Sequence, residues 1–248
     1  MAGHSHWARI KRAKAVTDAR RGRLWSKLSR AVIVAARQGG GDPEMNLALR
    51  YAIDAAKAEN MPKDTIERAI KKGAGDLGGA DFEELVFEGY GPGGAAILCV
   101  ALTDNRNRTA PEIKKVFERH SGNVGAAGSV AWMFSKRGVF VVPASAADED
   151  TLTSLALEHG ADDVQSAGDA FEIACDPAAF EAMRQGLAGA GITPESAELS
   201  MVASSAVAVQ GHDAEKLIKL IEGLEEHDDV QKVYGNYEIS EEDMARLS

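Results

Sequence analysis

Asp162-Asp163-Val164-Gln165-Ser166-Ala167 and Ala170-Phe171-Glu172-Ile173-Ala174-Cys175 read as two consecutive strands, and their place between two helical stretches decides the fold. Residues 149–159 and 177–190 read as helices on either side, and 139–142 and 195–202 as the outer strands. The order is β-α-β-β-α-β, that of a ferredoxin-like unit. Downstream come a strand at 206–209, a helix from Asp213 to about Glu226 and a strand near Val230 to Ile239. Upstream, Phe82 to Glu88 and Ala95 to Thr103 read as strands. Thr109-Ala110-Pro111-Glu112 reads as the capping box of a helix ending near Ser121. Val130 to Phe134 reads as another strand, with a turn at Ser135 to Gly138. Residues 82–134 alone hold too few elements to finish a sheet. We therefore expect 138–202 to be inserted into a discontinuous domain made of 82–134 and 206–240.

Before residue 76 the pattern is helical. Residues 1–16 lack a sustained apolar stripe and read as a basic arm. Leu24, Leu28, Ala31, Val32 and Ala35 recur at helical spacing within a first helix from about Asp18 to Arg37. Gly39-Gly40-Gly41 ends it, and Asp42-Pro43 reads as N-cap and first residue of the next helix. Met45, Leu49, Ala52, Ile53 and Ala56 form the second stripe. Pro62 opens a third helix closed by Gly73. The fold class expected is therefore α+β multidomain: a basic arm and three-helix domain over 1–75, a Gly-rich linker from Asp76 to Ala80, then two α+β domains.

Charge divides along the same line. Residues 1–37 carry ten Lys or Arg and one acid, Asp18, whereas residues 76–248 carry 12 basic and 31 acidic side chains. The whole chain of 248 residues has a net charge of −10. One end is suited to meet a polyanion, and the rest stays soluble by its own negative charge. Lys11, Arg12, Lys14, Arg20, Arg21, Arg23, Lys27 and Arg30 are candidate ligands of backbone phosphates, and Trp7 and Trp25 candidates for stacking on an unpaired base. Trp25 also falls where a core ring would. A second candidate is Asn105, Arg106, Asn107 and Arg108, two guanidinium forks and two amides ahead of a helix N-terminus.

Other chemistry finds little footing. The segment Gly89-Tyr90-Gly91-Pro92-Gly93-Gly94 matches G-x-G-x-x-G, but it leads into an apparent strand, and a dinucleotide site needs a helix there. A hairpin turn is the expectation. No GxSxG, HExxH or Walker sequence occurs, so an enzyme is not expected. Cys99 and Cys175 are distant from each other and read as buried free thiols. No cofactor is expected. If Met1 is removed, as the small Ala2 permits, the chain begins Ala2-Gly3-His4, whose amine, amides and imidazole could wrap Cu(II) or Ni(II) in a square plane. Such ligands arise fortuitously at termini, and no biological metal is inferred. The longest apolar run, Ala95 to Leu102, is too short to cross a bilayer. The arm is Arg-rich but not Ser-rich and has no cleavage-like boundary, so a cytoplasmic protein is expected rather than an imported one.

Several motifs resemble the YebC family: Ala2-Gly3-His4-Ser5-His6-Trp7, Ala35-Ala36-Arg37-Gln38-Gly39-Gly40-Gly41-Asp42-Pro43-Glu44, Asn60-Met61-Pro62-Lys63-Asp64, Glu88-Gly89-Tyr90-Gly91-Pro92-Gly93-Gly94, Leu102-Thr103-Asp104-Asn105-Arg106-Asn107-Arg108-Thr109 and Asp228-Asp229-Val230-Gln231-Lys232-Val233-Tyr234. The likeness is collinear over nearly the whole chain. It departs in the arm, where His6 stands in place of the usual Lys and Arg12-Ala13-Lys14 in place of His-Arg-Lys. The resemblance implies one helical and two α+β domains. It also implies a role in gene expression, because the family includes bacterial proteins described as DNA-binding transcriptional regulators and the mitochondrial translational activator of cytochrome c oxidase, with members linked to ribosomes. The expected function is a non-enzymatic DNA-binding transcriptional regulator; the alternative is a ribosome-associated translation factor binding rRNA or mRNA. The acidic α+β domains could additionally meet a basic protein.

Overall fold

The computed structural model describes residues 18–75 and 82–247. The arm and the Gly-rich linker lie outside them. The elements are α1 (Asp18–Gly39), α2 (Leu47–Ala58), α3 (Lys63–Ala74), β1 (Glu83–Tyr90), β2 (Ala96–Thr103), α4 (Arg106–Arg119), β3 (Asn123–Val124), β4 (Phe134–Pro143), α5 (Glu149–His159), β5 (Ala161–Ala167), β6 (Ala170–Cys175), α6 (Phe180–Gly189), β7 (Ser196–Ala203), β8 (Val207–Ala208), α7 (Gly211–Glu226), β9 (Val230–Gly235), β10 (Tyr237–Glu238) and α8 (Glu241–Leu247).

The helical domain packs Val32, Ile33, Ala35 and Ala36 of α1 against Leu49, Ile53 and Ala56 of α2 and Ile66 and Ala69 of α3. Two of its boundaries differ from the sequence reading. Asp42-Pro43 forms a turn, in which the Asp42 carboxylate accepts from the Glu44 amide, and α2 begins at Leu47. The cap is Asn46, which accepts from the Leu49 amide while its own amide donates to the carbonyls of Ala35 and Gly40. One buried side chain thus joins the end of α1 to the start of α2. Met45, expected in the apolar stripe, precedes the helix and is 84% exposed. Gly73 does not close α3; the left-handed cap is Gly75. Gly73 instead lets α3 close on α1, since a Cβ there would lie 2.4 Å from the Ile33 carbonyl oxygen.

The second domain is built on a sheet ordered β3-β1-β2-β9. β1 and β2 form an antiparallel hairpin around Pro92–Gly94, as the turn at 89–94 required. Ile97, Cys99 and Ala101 point to one face, under Ile113 and Phe117 of α4 and Leu217, Leu220, Ile221 and Leu224 of α7. β9, more than a hundred residues downstream, pairs with β2 antiparallel. The expected strand Val230–Ile239 breaks at Asn236, whose side chain accepts from the Ala96 amide. The residues beyond it leave the sheet, and β10 pairs in parallel with β8.

The third domain is inserted between these pieces. Its antiparallel sheet runs β5-β6-β4-β7, with the first strand central, as a ferredoxin-like unit requires. Leu152, Ala156, Phe180, Met183 and Leu187 of its helices cover Phe140, Val142, Ile173 and Cys175. The expected strand at Val130–Phe134 and turn at Ser135–Gly138 are corrected: Ala131–Met133 is a 3₁₀ turn and Phe134–Pro143 one unbroken strand. Gly138 misled the reading. It sits inside the strand because a side chain would collide with Cys175 Sγ and the Phe180 ring. Both cysteines are free and buried. We propose domain boundaries at 1–75, at 82–134 with 206–240, and at 138–202.

Candidate nucleic-acid interface

The basic face of α1 follows from its buried one. With Leu28, Val32 and Ala36 turned to the core, Arg21, Arg23, Lys27 and Arg30 fall on the other sides of the helix. Trp25 takes the core alternative: it packs on the helical cluster, and its indole N–H donates to the Glu59 carbonyl at 3.1 Å. The backbone of Arg20 lies in the first turn of α1. Lys11, Arg12, Lys14, Trp7 and the Ala2-Gly3-His4 amine site lie outside the described residues.

The cations of α1 meet different surroundings along the helix. Arg21 and Arg23 are exposed near its start. Lys27 and Arg30, one and two turns on, reach the second domain. Lys27 donates to the Glu225 carbonyl in the last turn of α7, where the helix dipole favours a cation. Arg30 donates to the Asp228 carbonyl and pairs with Asp229 Oδ1 at 3.2 Å. Its guanidinium also lies over the Phe82 ring, 5.9 Å from the centroid.

Asp229 joins the two candidate segments. Its other oxygen, Oδ2, accepts from Arg108 at 2.6 Å and from the Thr109 hydroxyl at 2.6 Å. That hydroxyl lies 2.7 Å from the Thr103 hydroxyl at the end of β2. The carboxylate is 3% exposed. Burial alone would raise its pKa, but the hydrogen bonds from Thr109 and Arg108 and the charges of Arg108 and Arg30 hold it below the usual aspartate range. Arg108 is raised in turn, by the Asp229 hydrogen bond first and then by its charge. Alongside, His227 accepts from the Asp229 amide through Nδ1, which leaves Nε2–H facing the Glu112 carboxylate at 3.0 Å.

The segment 104–108 is therefore not a loop ahead of a Thr109 cap. Asn105 is the N-cap, accepting from the Arg108 amide, and α4 starts at Arg106. Thr109 is drawn inward because its hydroxyl serves Asp229, so the helix cap falls four residues earlier, without a capping box. Asn105 and Arg108 are engaged in cap and ion pair, while Arg106 and Asn107 are exposed on the first turn. Because Arg30 and Arg108 share one carboxylate, this turn stands beside the basic face of α1. Asp229, Thr103 and Glu225 went unnoticed as site residues in the sequence: nothing local marks an Asp after a helix as the partner of an arginine two hundred residues upstream.

Comparison with known proteins accords with this architecture. A model described as the TACO1/YebC protein N-terminal domain matches residues 5–76, and one described as the TACO1/YebC second and third domain matches residues 82–237. A protein of Pelotomaculum thermopropionicum named probable transcriptional regulatory protein is 52% identical over 243 residues, 97% of this chain and 100% of its own. One of the same name from Acidithiobacillus ferrooxidans is 51% identical, covering 100% of this chain and 98% of its own. The crystal structure of a conserved hypothetical protein from Aquifex aeolicus is 47% identical with a TM-score of 0.82, covering 90% of this chain and 93% of that one. With the two models matched in succession over residues 5–76 and 82–237, the chain belongs to the TACO1/YebC family.

Proposed function

We propose that the protein is a cytoplasmic, non-enzymatic regulator of gene expression that binds nucleic acid through its basic end, with DNA-binding transcriptional control as the first reading. The observation that carries it is the segregation of charge. The exposed Arg21 and Arg23 continue the arm bearing Lys11, Arg12 and Lys14, at the end of a chain that is otherwise strongly acidic. The relatives' shared name supports the regulatory role. Arg20, Arg106 and Asn107 complete the proposed phosphate contacts, and the acidic α+β domains are the surface on which a basic protein could dock. Among the described helices none is long and apolar enough to cross a membrane.

A second reading, a translation factor on ribosomal RNA or mRNA, is favoured by one feature. Of the other two helices, α3 exposes Lys63, Asp64, Glu67, Arg68 and Lys71, a mixed-sign face on which Lys63 already pairs with Glu67 at 3.7 Å. Such a face is poorly suited to reading base edges in a major groove, and cations on α1 reach phosphates that DNA and RNA share. The test is to isolate the protein from growing cells and compare bound DNA, bound RNA and ribosome co-sedimentation. A protected promoter segment, discriminated from random duplex by several kcal/mol, is expected on the first reading. Ribosome co-sedimentation that survives DNase, without any protected promoter, would replace it with the second.

A further inference from the structure

The base-stacking candidates read from the sequence leave the third tryptophan unassigned. Trp132 is 73% exposed, in the turn that leads from the second domain into β4. It is not a loose side chain. The loop before it is fastened by Glu88 of β1, a buried carboxylate whose Oε1 accepts from the Gly128 amide at 2.6 Å and whose Oε2 accepts from the Val130 and Ala131 amides at 2.8 and 2.7 Å. Burial alone would raise the Glu88 pKa, yet these three backbone donors hold it below the ordinary glutamate range. The Gly125 amide donates to the Glu88 carbonyl, and the Tyr90 hydroxyl to the Ser129 carbonyl. That same carbonyl accepts the Trp132 indole N–H at 3.2 Å.

Three consequences follow. The indole's one polar atom is satisfied within the loop, so the ring offers an outside partner only its π face. The ring is held in place beforehand, which lowers the entropy lost on binding. The residues exposed earlier in the same loop, Ala126, Ala127 and Gly128, are small and uncharged, so Trp132 is the one large apolar side chain that the loop exposes. A stable protein interface needs roughly 800 Å² from each partner with a packed apolar centre. A single unpaired base needs one aromatic face and a nearby cation. Lys136, four residues on in β4, is the exposed cation closest to the ring in sequence.

We propose that Trp132 is a stacking platform for an unpaired base of a bound nucleic acid, a second contact apart from the basic arm. The inference rests on the nucleic-acid-binding reading above, and it adds affinity for targets that carry an unpaired base. The test measures binding of the full chain to a short oligouridylate and to a duplex, each across a salt series. Trp132→Ala should weaken oligouridylate binding about tenfold and leave duplex binding and the salt slope unchanged, because no ionic contact is lost. Trp132→Phe should keep most of the affinity, and the emission component it removes should be quenched by oligouridylate in the wild type. Unchanged binding by Trp132→Ala overturns the proposal. So does a self-association of the wild type that Trp132→Ala abolishes while oligouridylate binding persists, which would assign the ring to a second copy of the chain. A charge-reversed arm that abolishes all binding beside a neutral Trp132→Ala removes this inference and leaves the proposed function standing. The converse pattern removes the arm and keeps the platform.

Discussion

Arg23 and Arg30 lie two turns apart on α1, with the same chemistry, the same helix and the same cationic neighbourhood in sequence. Arg23 is exposed; Arg30 is held by Asp229 and the Asp228 carbonyl and lies on the Phe82 ring. The difference teaches that a run of cations can serve two purposes at once. Its first part is offered to solvent. Its middle fastens the helical domain to the acidic body. Tyr51 of α2 adds to that attachment, its ring meeting Phe180 of the inserted domain edge-on at 5.4 Å.

The largest expected effect breaks the exposed part of the comparison. Reversing charge at Lys11, Arg12, Arg20, Arg21 and Arg23 should abolish polyanion binding while the thermal unfolding midpoint stays within about 2 °C of wild type. In the wild type, some six phosphate contacts predict a slope of log affinity against log salt near −5, and in the variant the slope should approach zero. A steep slope that survives the reversal would move the site to Arg106 and Asn107.

The next effect falls on the docked part. Asp229→Ala leaves Arg30 and Arg108 without their shared carboxylate and Thr109 without its charged acceptor. Urea unfolding should show a loss of about 2–4 kcal/mol, toward the lower end because Arg108 is partly solvated. The loss should depend on pH. Asp229 has a depressed folded pKa, so its stabilisation is complete above the ordinary aspartate value and fades as pH falls through the lower, folded one. The stability gap between wild type and Asp229→Asn should therefore be constant from about pH 6 to 8 and narrow below about pH 4. A gap independent of pH would mean that the carboxylate's charge does not matter to the docking.

The smallest effect sharpens the comparison directly. Arg23→Ala should leave stability within about 0.5 kcal/mol and make the salt slope shallower by about one. Arg30→Ala should do the opposite, costing about 1 kcal/mol in urea unfolding with an unchanged slope. Equal behaviour of the two variants in both measurements would erase the distinction between them.

The helices and strands were largely legible because their signals are local. Apolar residues at three- and four-residue spacing mark α1 and α3, and the run Ala95 to Leu102 marks β2, buried on both faces. The misread boundaries have a common cause. At Gly73, Thr109 and Gly138, a residue with a strong local preference is committed instead to a distant partner, the Ile33 carbonyl, Asp229 and Phe180, and at Asn46 the cap is chosen by its added bonds to the end of α1. The interface was legible only in part, for the same reason. Charge density is a property of composition, but which cation meets water and which meets a carboxylate depends on what the fold brings opposite.

The sequence by itself determined the α+β class, the helical region that comes first, the β-α-β-β-α-β order of the ferredoxin-like unit and the concentration of positive charge at one end. Each of these depends on periodicity, element order or counting, which need no knowledge of neighbours in space. Only the tertiary structure decided that Lys27 and Arg30 hold domains together, that Arg108 is tied to Asp229 within its own domain, that Trp25 packs against a core, and that Trp132 stands exposed on a fastened loop. A cation's role is set by the nearest anion and a ring's by the nearest carbonyl. For these side chains the nearest groups come from helix ends, turns and strands that only folding brings within reach.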